Sequence, residues 1–278
     1  MLESDGYIIK SCKIKDKRIF QEFFKLMHSF NNDLFYRVLK TSSGSFLFHH
    51  NSHDIYAYEK VKGDVFVFNL SSASLLGSAL AALHNVMDIP EFRSNDRKLE
   101  KMVSVFLSHE PDSLYNGQYR KRYVLDFIDT VPDFLDKPQN FIHGDMWKEN
   151  IIISGKNITF IDFDSMHLFY KDYEVMRCFF ISFLDSIIDE KKTIIELIEK
   201  YQNYFISYMN VGSLDLNSAF NFYLFVFCLE CDVEDQACHD SAMLSFLIKR
   251  QYLLMTLIEK RLDILSVFNG WAGDLNVI

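Results

Sequence analysis

The chain has 278 residues, 49% of them apolar and 24% charged, with a formal net charge of -9. Such a chain buries one or two sizeable cores and reads as globular, which excludes disordered and fibrous classes. The acidic balance also excludes a broad nucleic-acid-binding face, which needs clustered basic residues.

The opening segment MLESDGYIIKSCKIKDK has no unbroken apolar stretch and no small-residue cleavage site, so no secretory signal is expected. GYIIKSCKI (residues 6–14) reads as a strand. DKRIFQEFFKLMHSF follows with Ile19, Phe23, Leu26, Met27 and Phe30 at helical spacing. LFYRVLKTSSGSFLFHHNSHDIYAYEKV then reads as successive strands, with turns at Ser43-Gly44 and Asn51-Ser52. Gly63 and Asp64 close this β-rich section.

From SSASLLGSALAALHNVM onward helices dominate. Leu76, Leu80 and Leu83 share a face, and Ser71 or Ser72 is the expected N-cap. Residues 95–110 and 119–135 read as helical, and the basic run YRKRY (Tyr119–Tyr123) reads as a solvated helix face. Residues 141–164 form a β island: NIIIS and NITFID are β-branched runs joined by a turn at GKN. Helices are expected again near 172–188, 190–210, 217–231 and 240–265. The most apolar stretch, VMRCFFISFLDSII, is broken by Arg177 and Asp185, short of the roughly 18 clean residues a membrane-spanning helix needs. Five cysteines, an odd count in a chain this long, fit a reducing compartment better than a disulfide framework. A cytoplasmic protein free of membrane is the expectation.

The chemistry concentrates in the β island. Going out along one strand and back along the next returns Asp162 to the same end of the hairpin as Asn150, with Asp145 in the loop just before. Hard divalent cations such as Mg²⁺ take oxygen ligands of this kind, one or two carboxylates completed by substrate phosphates and water. Capping of turns explains either aspartate alone; the set, in this order, points to a metal-dependent site. Cys228, Cys231, Cys238 and His239 suggest zinc only superficially, because the second pair lacks proper ligand spacing. Nothing resembles a P-loop, G-x-S-x-G or H-E-x-x-H.

HGDMWKEN followed by FIDFD resembles the paired motifs of the aminoglycoside phosphotransferase and choline kinase family, relatives of the protein kinases. His143, Asp145, Asn150 and Asp162 occupy the defining positions of its H-x-D, five-residue-spaced Asn and I-D-[FW] pattern. IYAYEKVKG resembles the family's strand linking two lobes, LLGSALAALH its following helix, and KDYEVMR the start of a later helix with Asp172 as anchor. The resemblance covers the chain to about residue 180. It implies an α+β, bilobal protein-kinase-like fold: a reduced N-terminal β lobe over residues 1–62 and a mainly helical C-terminal lobe over 63–278 that carries the catalytic hairpin.

It also implies roles. Asp145 accepts or orients the proton of the attacking hydroxyl, and Asn150 and Asp162 hold Mg²⁺ against the phosphates of ATP or GTP. His143 fixes the loop by hydrogen bonds, and Tyr58, Glu59 and Val61 line the base of the nucleotide. Lys10 and Lys40 both end strand-like runs; Lys10, because a helix offering Glu22 follows it, is the expected phosphate-binding lysine, with Glu22 its orienting partner. Only nine residues precede Lys10 and no G-x-G-x-x-G occurs, which is why the N-lobe is expected to be reduced. Trp147 and the acidic residues Glu230, Asp232, Glu234 and Asp235 are candidates for contacting the substrate. The expected activity is phosphorylation of a small-molecule hydroxyl, on an aminoglycoside-like antibiotic, amino alcohol or sugar. The alternatives are a catalytically weak, kinase-like nucleotide-binding or regulatory protein and a kinase acting on a protein.

Overall fold

The structure is a computed structural model that describes residues 2–3, 6–14, 16–28, 33–89, 98–108, 117–128, 137–188, 190, 192–234 and 241–275. They pack as two units. The first comprises Met1–Phe92, Asn140–Glu174 and Asn203–Ser213, and the second Arg93–Gln139, Val175–Gln202 and Leu214–Ile278.

In the first unit, β1 (Leu2–Glu3), β2 (Tyr7–Cys12), β3 (Phe48–His50) and β4 (His53–Glu59) form an antiparallel sheet of order β1-β2-β4-β3. The two-residue period of β2 turns Ile8, Lys10 and Cys12 to one face and leaves Tyr7, Ile9 and Ser11 exposed. Register places Lys10 opposite Tyr56 and Ile8 opposite Tyr58 on β4. Helix α1 (Lys17–Met27) starts at Asp16, whose side chain accepts from Ile19 N at 3.0 Å, and buries Phe20, Phe23, Phe24 and Met27. Between α1 and β3 the expected strands reduce to single bridges at Phe35 and Val38.

Helix α2 (Leu70–Met87) is capped by Asn69, not by the serines. Asn69 Oδ1 accepts from Ser71 N and Ser72 N, and Ser72 Oγ accepts from Asn69 N. The serine expected as cap is thus the third helical residue of a capping box. α2 is long and apolar enough to cross a membrane by length and composition, yet half of it is buried in the protein. It packs against a helix over Asn203–Val211, so closely that a Cβ added at Gly77 would lie 2.0 Å from Tyr204 O. Only glycine permits that approach.

The hairpin is β7 (Ile151–Ser154) and β8 (Asn157–Phe160), in register Ile151↔Phe160 to Ser154↔Asn157 around Gly155-Lys156. β5 (Asp64–Val65) adds to its edge at β7. A second ladder, β6 (Asn140–Ile142) with β9 (His167–Phe169), clamps both ends of the site segment and was not foreseen from sequence.

The second unit is helical. It contains α3 (Lys98–Ser108), α4 (Gly117–Phe127), most of α5 (Lys171–Ser182), α6 (Leu184–Ile188) and α7 (Ile194–Lys200). α8 is the Asn203–Val211 helix of the first unit, and α9 (Leu216–Glu234), α10 (Ser241–Glu259) and α11 (Arg261–Leu275) complete the second. α9 contacts α3, α4, α10 and α11, and its Tyr223 stacks on Phe180 at 5.4 Å. The long helices expected near 172–188, 190–210 and 240–265 are each two helices broken at a turn. The class is α+β, with small sheets and a helical C-terminal part, as expected.

Candidate active site

The site segment runs from β6 through the 143–150 loop and the hairpin to residues 161–164. Its organising side chain is Phe163, fully buried. Its ring lies 5.3 Å from Phe23, 5.9 Å from Phe24, 5.8 Å from Tyr36 and 4.5 Å from the His143 ring, centroid to centroid. Burying one such ring is worth about 1.5–3 kcal/mol, and it fixes the backbone on both sides. Asp162 and Asp164 flank it and are fixed by it. Asp162 has φ +68° and ψ +57°, a left-handed conformation that Asp tolerates better than most residues.

His143 is buried. Its Nε2 lies 2.7 Å from Ile161 O and its Nδ1 3.4 Å from Asp145 N. A ring protonated on Nε2 donates to the first and accepts from the second, tying the loop to the strand leaving the hairpin. Next to it, Gly144 has φ +80°, and a Cβ there would meet Ser165 O at 2.3 Å.

Beneath the loop lies a carboxylate that the sequence reading missed. Glu174, 1% exposed, accepts from His143 N at 3.0 Å, Gly144 N at 2.7 Å and His84 Nε2 at 3.0 Å. Burial alone would raise its carboxyl, but His84, His143 and the Gly144 N–H hold it below the usual glutamate range. The expected anchor was Asp172, two residues earlier. The anchor is Glu174, because in the first turn of α5 it is Glu174 that turns inward under the loop. His84, from α2, completes the anchor and also meets the Tyr208 hydroxyl at 2.7 Å.

Asp145 and Asn150 come together as expected. Asn150 Nδ2 donates to Asp145 O at 2.7 Å and to Asp145 Oδ2 at 3.2 Å. Ile161 N donates to Asn150 O at 3.0 Å, so the residue after the hairpin pairs with Asn150 and Asp162 follows directly. Asn150 Oδ1 has no hydrogen-bond partner among the described residues, and the Asp162 side chain is 39% exposed. Trp147 is half-buried and opens the short turn Lys148–Asn150, its carbonyl accepting from Asn150 N at 3.0 Å.

Lys10 reaches this group from β2. Its ammonium pairs with Asp162 and, at 2.6 Å, with Asp164 Oδ2. Partial burial alone would lower the Lys10 ammonium, but the two carboxylates more than offset that and raise it. Asp164 Oδ1 also accepts from the Tyr56 hydroxyl at 2.7 Å. Burial, together with Tyr36 and Asp164, pushes that phenol far up, so it stays a donor. The second acid of FIDFD is therefore a site residue; its one sequence signal was a position two residues past the motif aspartate.

Other expectations meet a different geometry. Glu22 does not pair with Lys10. It forms an i,i+3 pair with Lys25 at 3.6 Å on the outer face of α1, since the apolar face is taken by Phe20, Phe23 and Phe24. Tyr58 is buried against Tyr36, ring centroids 4.3 Å apart. Glu59 faces Arg37 at 3.7 Å. Glu59 and Val61 line a cavity of about 610 Å³ with Phe24, Arg37 and Thr159, but Lys10, Asp145, Asn150 and Asp162 do not line it. Glu230, in the second unit, pairs with Arg250 at 3.5 Å. The side chains of Asp232 and Glu234, and Asp235 altogether, lie outside the described residues, as do Cys238 and His239.

No group of three or more His, Cys, Asp or Glu that could hold a metal occurs among the described residues. A Mg²⁺ site here would rest on one amide oxygen, Asn150 Oδ1, and one carboxylate, Asp162, completed by phosphate oxygens. That donor set fits a hard cation that keeps few protein ligands.

Residues 3–191 match the family model of the phosphotransferase enzyme family (APH). No curated protein sequence matches the chain. Among solved structures, an amicoumacin kinase in complex with AMP-PNP and Ca²⁺ has a TM-score of 0.64 at 13% identity, over 91% of this chain and 86% of its own. A microcompartment-associated aminopropanol kinase has a TM-score of 0.64 at 15% identity, over 92% and 86%. The choline kinase LicA from Streptococcus pneumoniae has a TM-score of 0.57 at 13% identity, over 93% and 88%. At such identities these similarities establish the fold, which is kinase-like.

Proposed function

The chain belongs to the phosphotransferase enzyme family, and on that premise we propose that it transfers the terminal phosphoryl group of ATP or GTP to a hydroxyl of a small molecule, with Mg²⁺ as cofactor. The observation that carries the reading is one coupled set. Asn150 holds the Asp145 carboxylate, hairpin pairing sets Asp162 beside Asn150, and Lys10 lies on Asp162. Phosphoryl transfer asks for that combination: a proton acceptor, oxygen ligands for a cation and a fixed positive charge for phosphate.

In this reading Asp145 receives or orients the proton of the acceptor hydroxyl as its oxygen attacks phosphorus and the bond to the nucleoside diphosphate breaks. Asn150 and Asp162 hold the metal, which when bound neutralises phosphate charge. Lys10 steadies the phosphates, and Tyr58, Glu59 and Val61 contribute the strand end beside the base. His143 and Glu174 touch no reactant; they keep the loop backbone in place. The acceptor we propose is an amino alcohol, an aminoglycoside-like antibiotic or a sugar, in the cytoplasm. Support comes from the named activities of the similar structures, kinases of amicoumacin, aminopropanol and choline. Trp147 and the acidic group Glu230, Asp232, Glu234 and Asp235 are proposed substrate contacts.

Mg·ATP and Mg·GTP offered with amino-alcohol, aminoglycoside and sugar acceptors test this, comparing wild type with Asp145→Asn and Asp162→Ala. Product formed by wild type and lost in both variants is the expected result. Equal turnover in all three overturns it, and nucleotide binding without transfer to any acceptor would favour the catalytically weak, regulatory alternative.

A further inference from the structure

We propose that Asp164, rather than a glutamate on helix α1, is the positioning carboxylate for Lys10, so that the exit of the hairpin sets where the phosphate-binding lysine points. The inference rests on the phosphotransfer reading above. Lys10 and Tyr56 are cross-strand partners on β2 and β4. Both reach the same carboxylate: Lys10 Nζ lies 2.6 Å from Asp164 Oδ2, and the Tyr56 hydroxyl donates to Oδ1 at 2.7 Å. Each oxygen of Asp164 has its own donor, and the residue is locked behind the buried Phe163. Glu22, by contrast, has a 43% exposed side chain paired to Lys25.

The two aspartates on Lys10 differ in exposure. Asp162 is 39% exposed and Asp164 is 15%. The open one is available to exchange the ammonium for a cation, and the enclosed one, braced by Tyr56, retains it. A lysine held this way takes its carboxylates from one short segment, residues 162–164, and none from α1, whose Phe23 and Phe24 contribute only by packing on Phe163.

The test is a set of coupled substitutions read by Mg·ADP affinity and by kcat and KM for transfer. Asp164→Asn is expected to lower kcat/KM for nucleotide by about 10- to 100-fold, the range that misplacing a reacting-site group by an ångström produces. Asp164→Glu should recover part of that loss. Tyr56→Phe should give a smaller loss in the same direction, and Glu22→Gln should stay within about twofold of wild type, the scale of a surface substitution. The discriminating result is non-additivity: Lys10→Met with Asp164→Asn should be no worse than Lys10→Met alone, because the second group acts only through the first. A purely structural Asp164 would give losses that multiply, and that outcome overturns the proposal. So does a Glu22→Gln loss matching that of Lys10→Met with Asp164→Asn near wild type. Should Asp164→Asn not fold, the Tyr56→Phe and Lys10→Met pair carries the same cycle with the same two outcomes. Wild type that transfers phosphate to no acceptor sinks the phosphotransfer reading and this inference together; active wild type with additive losses sinks this inference alone.

Discussion

Two sides of the 143–150 loop differ in how their charges are satisfied. Underneath, Glu174 is 1% exposed and accepts three hydrogen bonds from His143, Gly144 and His84. On the other side Asp162, 39% exposed, meets one ammonium, and Asn150 Oδ1 has no hydrogen-bond partner among the described residues. A dry, saturated anchor has nothing left to offer a ligand, and a wet, unsaturated cluster contributes little to folding. Stability and chemistry are thus carried by different carboxylates on opposite sides of one loop.

Substitutions that separate the two sides test this division. The largest effect belongs to Asp145→Asn: transfer should fall by about 10²- to 10⁴-fold, the usual contribution of a general base, while the melting temperature stays near wild type. Glu174→Gln should reverse that pattern. It removes the charge from a buried hydrogen-bonded set, and about 3–5 kcal/mol of stability should be lost in denaturant titration. Loss of activity without loss of stability there would erase the distinction. Gly77→Ala pushes a Cβ against Tyr204 O and should cost about 1–3 kcal/mol by overpacking, although it touches neither side of the loop. Lys10→Met should cost less stability than Glu174→Gln, because one of its two carboxylates, Asp162, is 39% exposed and can turn to water, even as transfer collapses.

Acid offers an independent check on the anchor. The Glu174 carboxyl in the folded chain lies below its ordinary range, so it binds fewer protons folded than unfolded at mildly acid pH. Its contribution to stability is therefore complete above the ordinary glutamate value, about 4.3, and drains away as pH falls through the folded value. Denaturation midpoints measured down that range should fall less steeply in Glu174→Gln than in wild type.

Much of the site was legible because hairpin pairing is arithmetic: β-branched runs around a two-residue turn return Asp162 to Asn150 whatever else the fold does. The segments 7–12 and 17–27 were legible for similar reasons, a two-residue period and a capped amphipathic face. What sequence could not supply was side-chain choice between neighbours. Asp172 and Glu174 carry the same charge two residues apart, and only the way α5 meets the loop decides which is buried. Lys10 had several carboxylates within plausible reach, and the lock on Phe163 selected Asp164 over Glu22. The β6–β9 ladder escaped notice because three-residue strands are too short for a period to register.

The left-handed backbone at Asp162 gives a way to part shape from charge. A glycine there would adopt the same torsions at no steric expense, so Asp162→Gly should keep the path of the chain out of the hairpin while removing the carboxylate that meets Lys10.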